Sequence, residues 1–134
     1  SVMQNYHEAV RWYRAAAEQG HTTAQFSLGV MYALGEGFAQ DYQEAARWFR
    51  TLADKAHGHA QNNLGDMYFK GQGVPQDYVL AHMWFTLAAS NITDNYQEMA
   101  VKNRDMVAEE MTPEQIAEAL RLAGEWKPKE SGSQ

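Results

Sequence analysis

The chain repeats itself with a period of 36 residues, and no other feature limits its fold as much. Sliding the sequence against itself by that interval aligns Tyr6, Tyr42 and Tyr78, then Ala9, Ala45 and Ala81, then Trp12, Trp48 and Trp84. Residues 6–41 and 42–77 are identical at half of their positions. A period of this length marks a stack of supersecondary units, in which each unit buries its apolar side against the next.

Each unit holds two helical patterns. In "DYQEAARWFRTLADK", residues 41–55, Tyr42, Ala45, Ala46, Trp48, Phe49, Leu52 and Ala53 share one arc, and Gln43, Glu44, Arg47, Arg50 and Asp54 share the other. That is the second helix of a unit. The first helix is carried by Ala24, Leu28, Met31 and Tyr32, and one period later by Ala60, Leu64, Met67 and Tyr68. The tryptophans at 12, 48 and 84 lie on the apolar arc and are expected in the core.

The glycines divide by task. Gly29 and Gly65 fall inside the first helices, where glycine costs about 1 kcal/mol relative to alanine. A ring from the partner helix, such as Trp48 or Phe49, approaching the bare backbone would offset that cost. Gly35 and Gly71 follow the last periodic residue, where a left-handed cap ends a helix. Gly37 and Gly73 then turn the chain, and Asp41 and Asp77 start the second helices as N-caps or first-turn carboxylates.

The pattern A-x-x-x-L-G-x-M-Y-x-x-G-x-G followed by D-Y-x-x-A-x-x-W-F, present at Ala24–Phe49 and Ala60–Phe85, resembles the Sel-one-like repeat. The resemblance covers residues 6 to about 89. It implies an all-α fold, a right-handed α/α superhelix of stacked two-helix repeats related to tetratricopeptide arrays, with about seven helices here. It also implies an adaptor role in protein complexes. Members with a disulfide in each repeat are no guide, because this chain has no cysteine.

One repeat domain is expected over 1–130. Residues 1–20 give the second helix of a partial unit, 21–56 and 57–92 give two full units, and 93–127 give a degenerate capping pair. Residues 128–134 have the composition of a disordered tail. In the last pair valines replace the glycines at 101 and 107. Its first helix is therefore expected to run long, from about Thr93 to Glu110, with Tyr96, Met99, Ala100, Met106 and Val107 inward. Ala117 aligns with Ala81, and Leu120 takes the place of Trp84. Thr112, Pro113 and Gln115 form a capping-box start for the last helix. At the other end Val2, Met3, Tyr6, Val10 and Tyr13 lack an inner partner, so an apolar patch is expected there.

If Ala24, Leu28, Met31 and Tyr32 face inward, the opposite side of that helix carries Thr23, Phe26, Val30 and Ala33. In the next unit the same side carries His59, Asn62, Asp66 and Phe69, flanked by Asn63 and Lys70. The resemblance implies that first helices line the concave surface. The expected ligand is a peptide or protein bound there, on Phe26, Val30, Ala33, His59, Asn62, Asn63, Asp66, Phe69 and Lys70. The alternative is a structural spacer or oligomerisation module whose open N-terminal helix stacks on another copy.

Other chemistries find little support. A net charge of −6 disfavours nucleic acid, which is gripped mostly by Lys and Arg. No apolar run approaches the roughly 20 residues of a membrane span, so no membrane insertion is expected. His57, His59 and His21 form no converging set of three or four ligands, so no metal and no cofactor are expected. No serine sits in a nucleophile elbow, and no phosphate-binding glycine loop appears. No catalytic residue is assigned, and a hydrolase assembled from separate units is the distant alternative. The chain opens at Ser1 without an initiator methionine, which fits a form processed after export; a periplasmic or secreted setting is expected over a cytoplasmic one.

Overall fold

The computed structural model describes residues 2–36 and 39–130. Among these there are seven helices and no strand: α1 (Val2–Glu18), α2 (Thr22–Leu34), α3 (Tyr42–Ala53), α4 (Gly58–Lys70), α5 (Tyr78–Asn91), α6 (Gln97–Ala108) and α7 (Pro113–Glu125). Each helix from α1 to α5 packs on the next in chain order, so sequence neighbours are spatial neighbours, as in a solenoid. The expectation for Gly37, that for residues 131–134, and the side chains of Val2, Met3 and Tyr6 lie outside what is described.

The glycines act as their spacing suggests. A Cβ on Gly29 would stand 2.8 Å from Phe49 Cε1, and one on Gly65 would stand 2.8 Å from Phe85. The ring, and not the neighbouring tryptophan, fills the gap in both units. Gly35 and Gly71 are left-handed at φ 74° and 69°, and their N–H groups return to the carbonyls of Met31 and Met67. Gly73, at φ +77°, lets the loop press against α3, where a Cβ would meet Tyr42 O at 2.3 Å. Asp41 and Asp77 are N-caps, accepting from the N–H groups of Glu44 and Leu80.

Two buried glutamines join the units. Gln25 Nε2 donates to Ala17 O and Gln61 Nε2 to Ala53 O, each at 3.0 Å, so each first helix satisfies a carbonyl in the last turn of the preceding second helix. Asn91 Nδ2 donates to Gln61 Oε1, which leaves that buried amide bonded at both ends.

Departures from expectation collect at the ends of the stack. Trp48 and Trp84 are buried at 5% and 2% exposure, but Trp12 is 78% exposed. The second helix of the preceding unit covers each buried tryptophan's side of the stack: Ala17 of α1 shares the core cluster of Trp48, and Ala53 of α3 that of Trp84. Among the described residues no helix stands before α1. Val10 does find a partner, since it packs on the core cluster of Ala17 and Leu28.

At the other end α6 is shorter than expected. Asp94 Oδ1 accepts from Tyr96 N and Asp94 O from Gln97 N, forming a turn that delays the helix start to Gln97. Ala100 and Val107 are buried, but Tyr96, Met99 and Met106 are exposed. The inward line of α6 is Ala100, Asn103 and Val107, so the two methionines sit one position off it. The capping box of Thr112 and Gln115 is present. However, α7 takes α5 as its main partner instead of α6. Ala119 is its buried residue, with Leu122, Ala123 and Trp126 on the core, while Ala117 and Leu120 face outward. Beyond α7, Trp126 meets Trp84 edge-on and Lys129 N donates to Asp54 O at 2.7 Å, so residues 126–129 are held along the second helices.

Candidate functional site

An apolar recess between repeat units is built by α2, α3 and α4. One wall is Val30, Ala33 and Leu34 of α2, the other Asn63, Asp66 and Met67 of α4; Tyr42 and Phe49 of α3 form the floor, and Gln72 closes an end. It encloses about 320 Å³. Phe49 can lie low enough to serve as floor because Gly29 gives it room. The recess stays open because Ala33 is small. One period later the same position is Phe69, whose ring packs on Tyr78 with centroids 5.5 Å apart. Lys70 pairs with Asp66 at 3.1 Å on the solvent side, so the charged part of the wall is a carboxylate that a lysine partly balances.

A second recess of about 410 Å³ lies between α1 and α2, lined by Ala9, Tyr13, Phe26, Ser27, Val30, Met31 and Glu36. Val30 is common to both.

Beside these runs a line of rings that crosses the units. Phe26 lies 5.7 Å from Phe49 and stacks on His57 at 5.3 Å; His57 meets His59 at 6.4 Å, and His59 meets Tyr96 at 5.7 Å. His57 Nδ1 accepts from Ala60 N and so caps α4. Burial, helped by the neighbouring His59, pushes the His57 imidazole below its ordinary value, and burial does the same to His82. His59 Nε2 bonds Asp94 Oδ2 at 2.9 Å, and the Tyr96 N–H together with His59 lowers the Asp94 carboxyl. Asn103 Nδ2 of α6 donates to Asn62 Oδ1 at 3.1 Å.

The nine residues singled out from the sequence therefore fall into separate groups. Val30, Ala33, Asn63 and Asp66 come together in the groove between α2 and α4. Phe26 is half-buried in the line of rings and also walls the second recess. His59 and Asn62 are engaged by residues around and in α6, Phe69 covers Tyr78, and Lys70 reaches back to Asp66. Sequence reasoning missed Leu34, Gln72 and the role of Met67 as a wall. Leu34 could have been found, because an apolar residue in the last turn where the next unit has Lys70 breaks the repeat. Asp94 could not, since no spacing connects it to His59. Among the described residues no three of His, Asp and Glu converge in a way that could hold a metal ion, and no helix is long and apolar enough to cross a membrane.

The Sel1 repeat model matches residues 1–21, 22–57 and 58–91. Among solved structures, the chain is similar to c5321, a protective antigen of uropathogenic Escherichia coli displaying an SLR fold. The two share 35% identity over 94% of this chain with a TM-score of 0.85. It spans only 26% of that antigen's length. It is also similar to a Sel1 repeat protein from Oxalobacter formigenes, at 39% identity and a TM-score of 0.65, over 72% of this chain and 70% of that one. No curated protein sequence matches.

Proposed function

The chain belongs to the Sel1 repeat family, and from that membership we propose that it is a protein-interaction module holding a peptide segment of its partner in the groove between α2 and α4. Sel1 repeat proteins generally mediate protein–protein contact and generally act as non-catalytic scaffolds. The observation that carries the finer reading is the groove itself. Its α2 wall and its floor are mostly apolar, Asn63 and Asp66 stand on the α4 wall, and a small residue, Ala33, keeps it open. A recess with apolar lining and a few placed polar groups is how proteins take up an anchoring side chain. Asn63 can donate to and accept from a peptide backbone. The units at 21–56 and 57–92 are part of this reading, since they supply the two walls.

The test is to select peptides from a random display library on the whole chain and compare their binding to the Ala33→Phe variant. That substitution copies the arrangement of Phe69 on Tyr78 and should leave thermal unfolding nearly unchanged. Selected peptides should bind the variant at least about tenfold more weakly, the loss expected for excluding one large apolar side chain. Equal binding to both proteins would remove the groove from consideration.

A second reading, self-association through α1, is favoured by Trp12, a large ring left open at a position buried in both following units. Light scattering of the chain and of Trp12→Glu separates the two: a dimer that dissociates in the variant supports it, and a monomer in both rejects it.

A further inference from the structure

We propose, building on the peptide-groove reading above, that the chain reads two apolar side chains of one basic peptide in two recesses a repeat apart, and that Phe69 ends the series. The two recesses are copies of one another. Tyr13 and Phe49, Ser27 and Asn63, and Met31 and Met67 are each separated by the 36-residue period, and each pair supplies the same element to its own recess. Val30 walls both, so no other side chain need separate an anchor in one from an anchor in the other. One uninterrupted segment can therefore fill both.

The third equivalent position is closed. Where Ala33 leaves Tyr42 open, Phe69 lies on Tyr78, and both of these rings are packed on the core cluster of Phe85. Beyond these two anchoring positions the series is closed on the α5 side, which bounds the segment recognised at that end.

The charge of that segment follows from the lining. Asp66 belongs to one recess and Glu36 to the other, and among the described residues no lysine, arginine or histidine lines either recess. Lys70 pairs with Asp66 but does not line the groove. In a chain of net charge −6, a cationic segment is drawn to this face and an anionic one is repelled.

The probe is a set of synthetic peptides, each with two leucines at one of the spacings that an extended or helical segment can present on one side, flanked by lysines or by glutamates, with single-leucine controls. Binding to the whole chain is read by fluorescence anisotropy. The best two-leucine, lysine-flanked peptide should bind at least about tenfold more tightly than its single-leucine control, since a second buried leucine is involved. Ser27→Phe, which fills only the recess between α1 and α2, should bring it down to the level of the control. If single and double peptides bind alike, if Ser27→Phe has no effect, or if glutamate flanks serve as well as lysine, while Ala33→Phe still weakens binding, this inference falls and the groove reading stands. If no peptide distinguishes wild type from either variant, both fall.

Discussion

The position a Gly29 Cβ would occupy lies 2.8 Å from Phe49 Cε1, closer than two carbons can stand. The flaw this puts in the middle of α2 is what allows α3 to pack tightly against it. Alanine here should gain about 1 kcal/mol of helix propensity but lose about 1–3 kcal/mol by overpacking. Gly29→Ala is therefore expected to be destabilised by about 1 kcal/mol in urea unfolding. Gly65→Ala should lose more, because its Cβ meets Phe85 at 2.8 Å and also the backbone carbonyl of Ala81 at 3.2 Å, which cannot rotate away. Phe49→Leu combined with Gly29→Ala should cost less than the sum of the two changes, as expected for residues in direct contact. Strict additivity would show that the ring does not depend on the glycine.

Ala56 is the one non-glycine residue with positive φ among the described positions, at 69°, and Gly20, one period earlier, stands at φ 93°. Left-handed backbone costs an L-residue about 1–2 kcal/mol, and glycine gives back about 0.4–1 kcal/mol through its freer unfolded chain. Ala56→Gly should therefore stabilise the protein by roughly 0.5–1 kcal/mol, and Gly20→Ala should destabilise it by a similar amount. No atom lies within 4 Å of a Cβ at Gly20, so backbone strain alone is tested there. A fall in melting temperature for Ala56→Gly would contradict this.

The middle of the stack was legible in the sequence because it is built from local rules repeated at a fixed interval. Gly35, Gly71, Asp41 and Asp77 perform the same capping tasks in two units, and repetition makes a weak local signal a strong one. The ends were less legible. Trp12 has the sequence of a core residue, but burial depends on the preceding unit, and periodicity within one helix carries no information about that. The third unit loses its glycines, and with them the register: α7 moves onto α5, exposing Leu120 and turning Ala119 inward. The groove was half legible. Helical geometry put Val30, Ala33, Asn62, Asp66 and Phe69 on common faces, but which of these stay open depends on residues of other helices, since Asn103 takes up Asn62 and Tyr78 carries Phe69.

Acid should loosen the repeats through two histidines. Burial lowers the folded-state value of both His57 and His82 below the ordinary 6.5, so the unfolded chain binds more protons than the folded one as pH falls through that value. Stability should be flat above about pH 7 and decline below about 6.5. Protonating His57 at Nδ1 would also remove the acceptor that caps α4. His57→Asn keeps a cap acceptor without a titrating group. It should lose less melting temperature than wild type between pH 7.5 and pH 5, as followed by circular dichroism on a common buffer series. An unchanged pH profile in this variant would exclude His57 as a contributor.

Gln61 is fully buried and bonded at both ends, to Ala53 O at 3.0 Å and from Asn91 Nδ2 at 2.9 Å, whereas the side chain of the equivalent Gln25 bonds, among the described residues, only to the Ala17 carbonyl. Replacing a buried amide by an isosteric apolar chain strands whatever it was bonded to, at about 1–3 kcal/mol for each buried group left unpaired. Gln61→Leu strands a carbonyl and an amide, and Gln25→Leu a carbonyl. Both variants should be destabilised, with Gln61→Leu the worse by at least about 1 kcal/mol. Adding Asn91→Ala to Gln61→Leu should recover part of the loss, because the stranded donor is then gone. The ordering is checked by urea unfolding of the four proteins. If Gln25→Leu proves equal or worse, the Asn91 bond contributes nothing, and the junction between units would rest on apolar packing and the single carbonyl bond that both glutamines make.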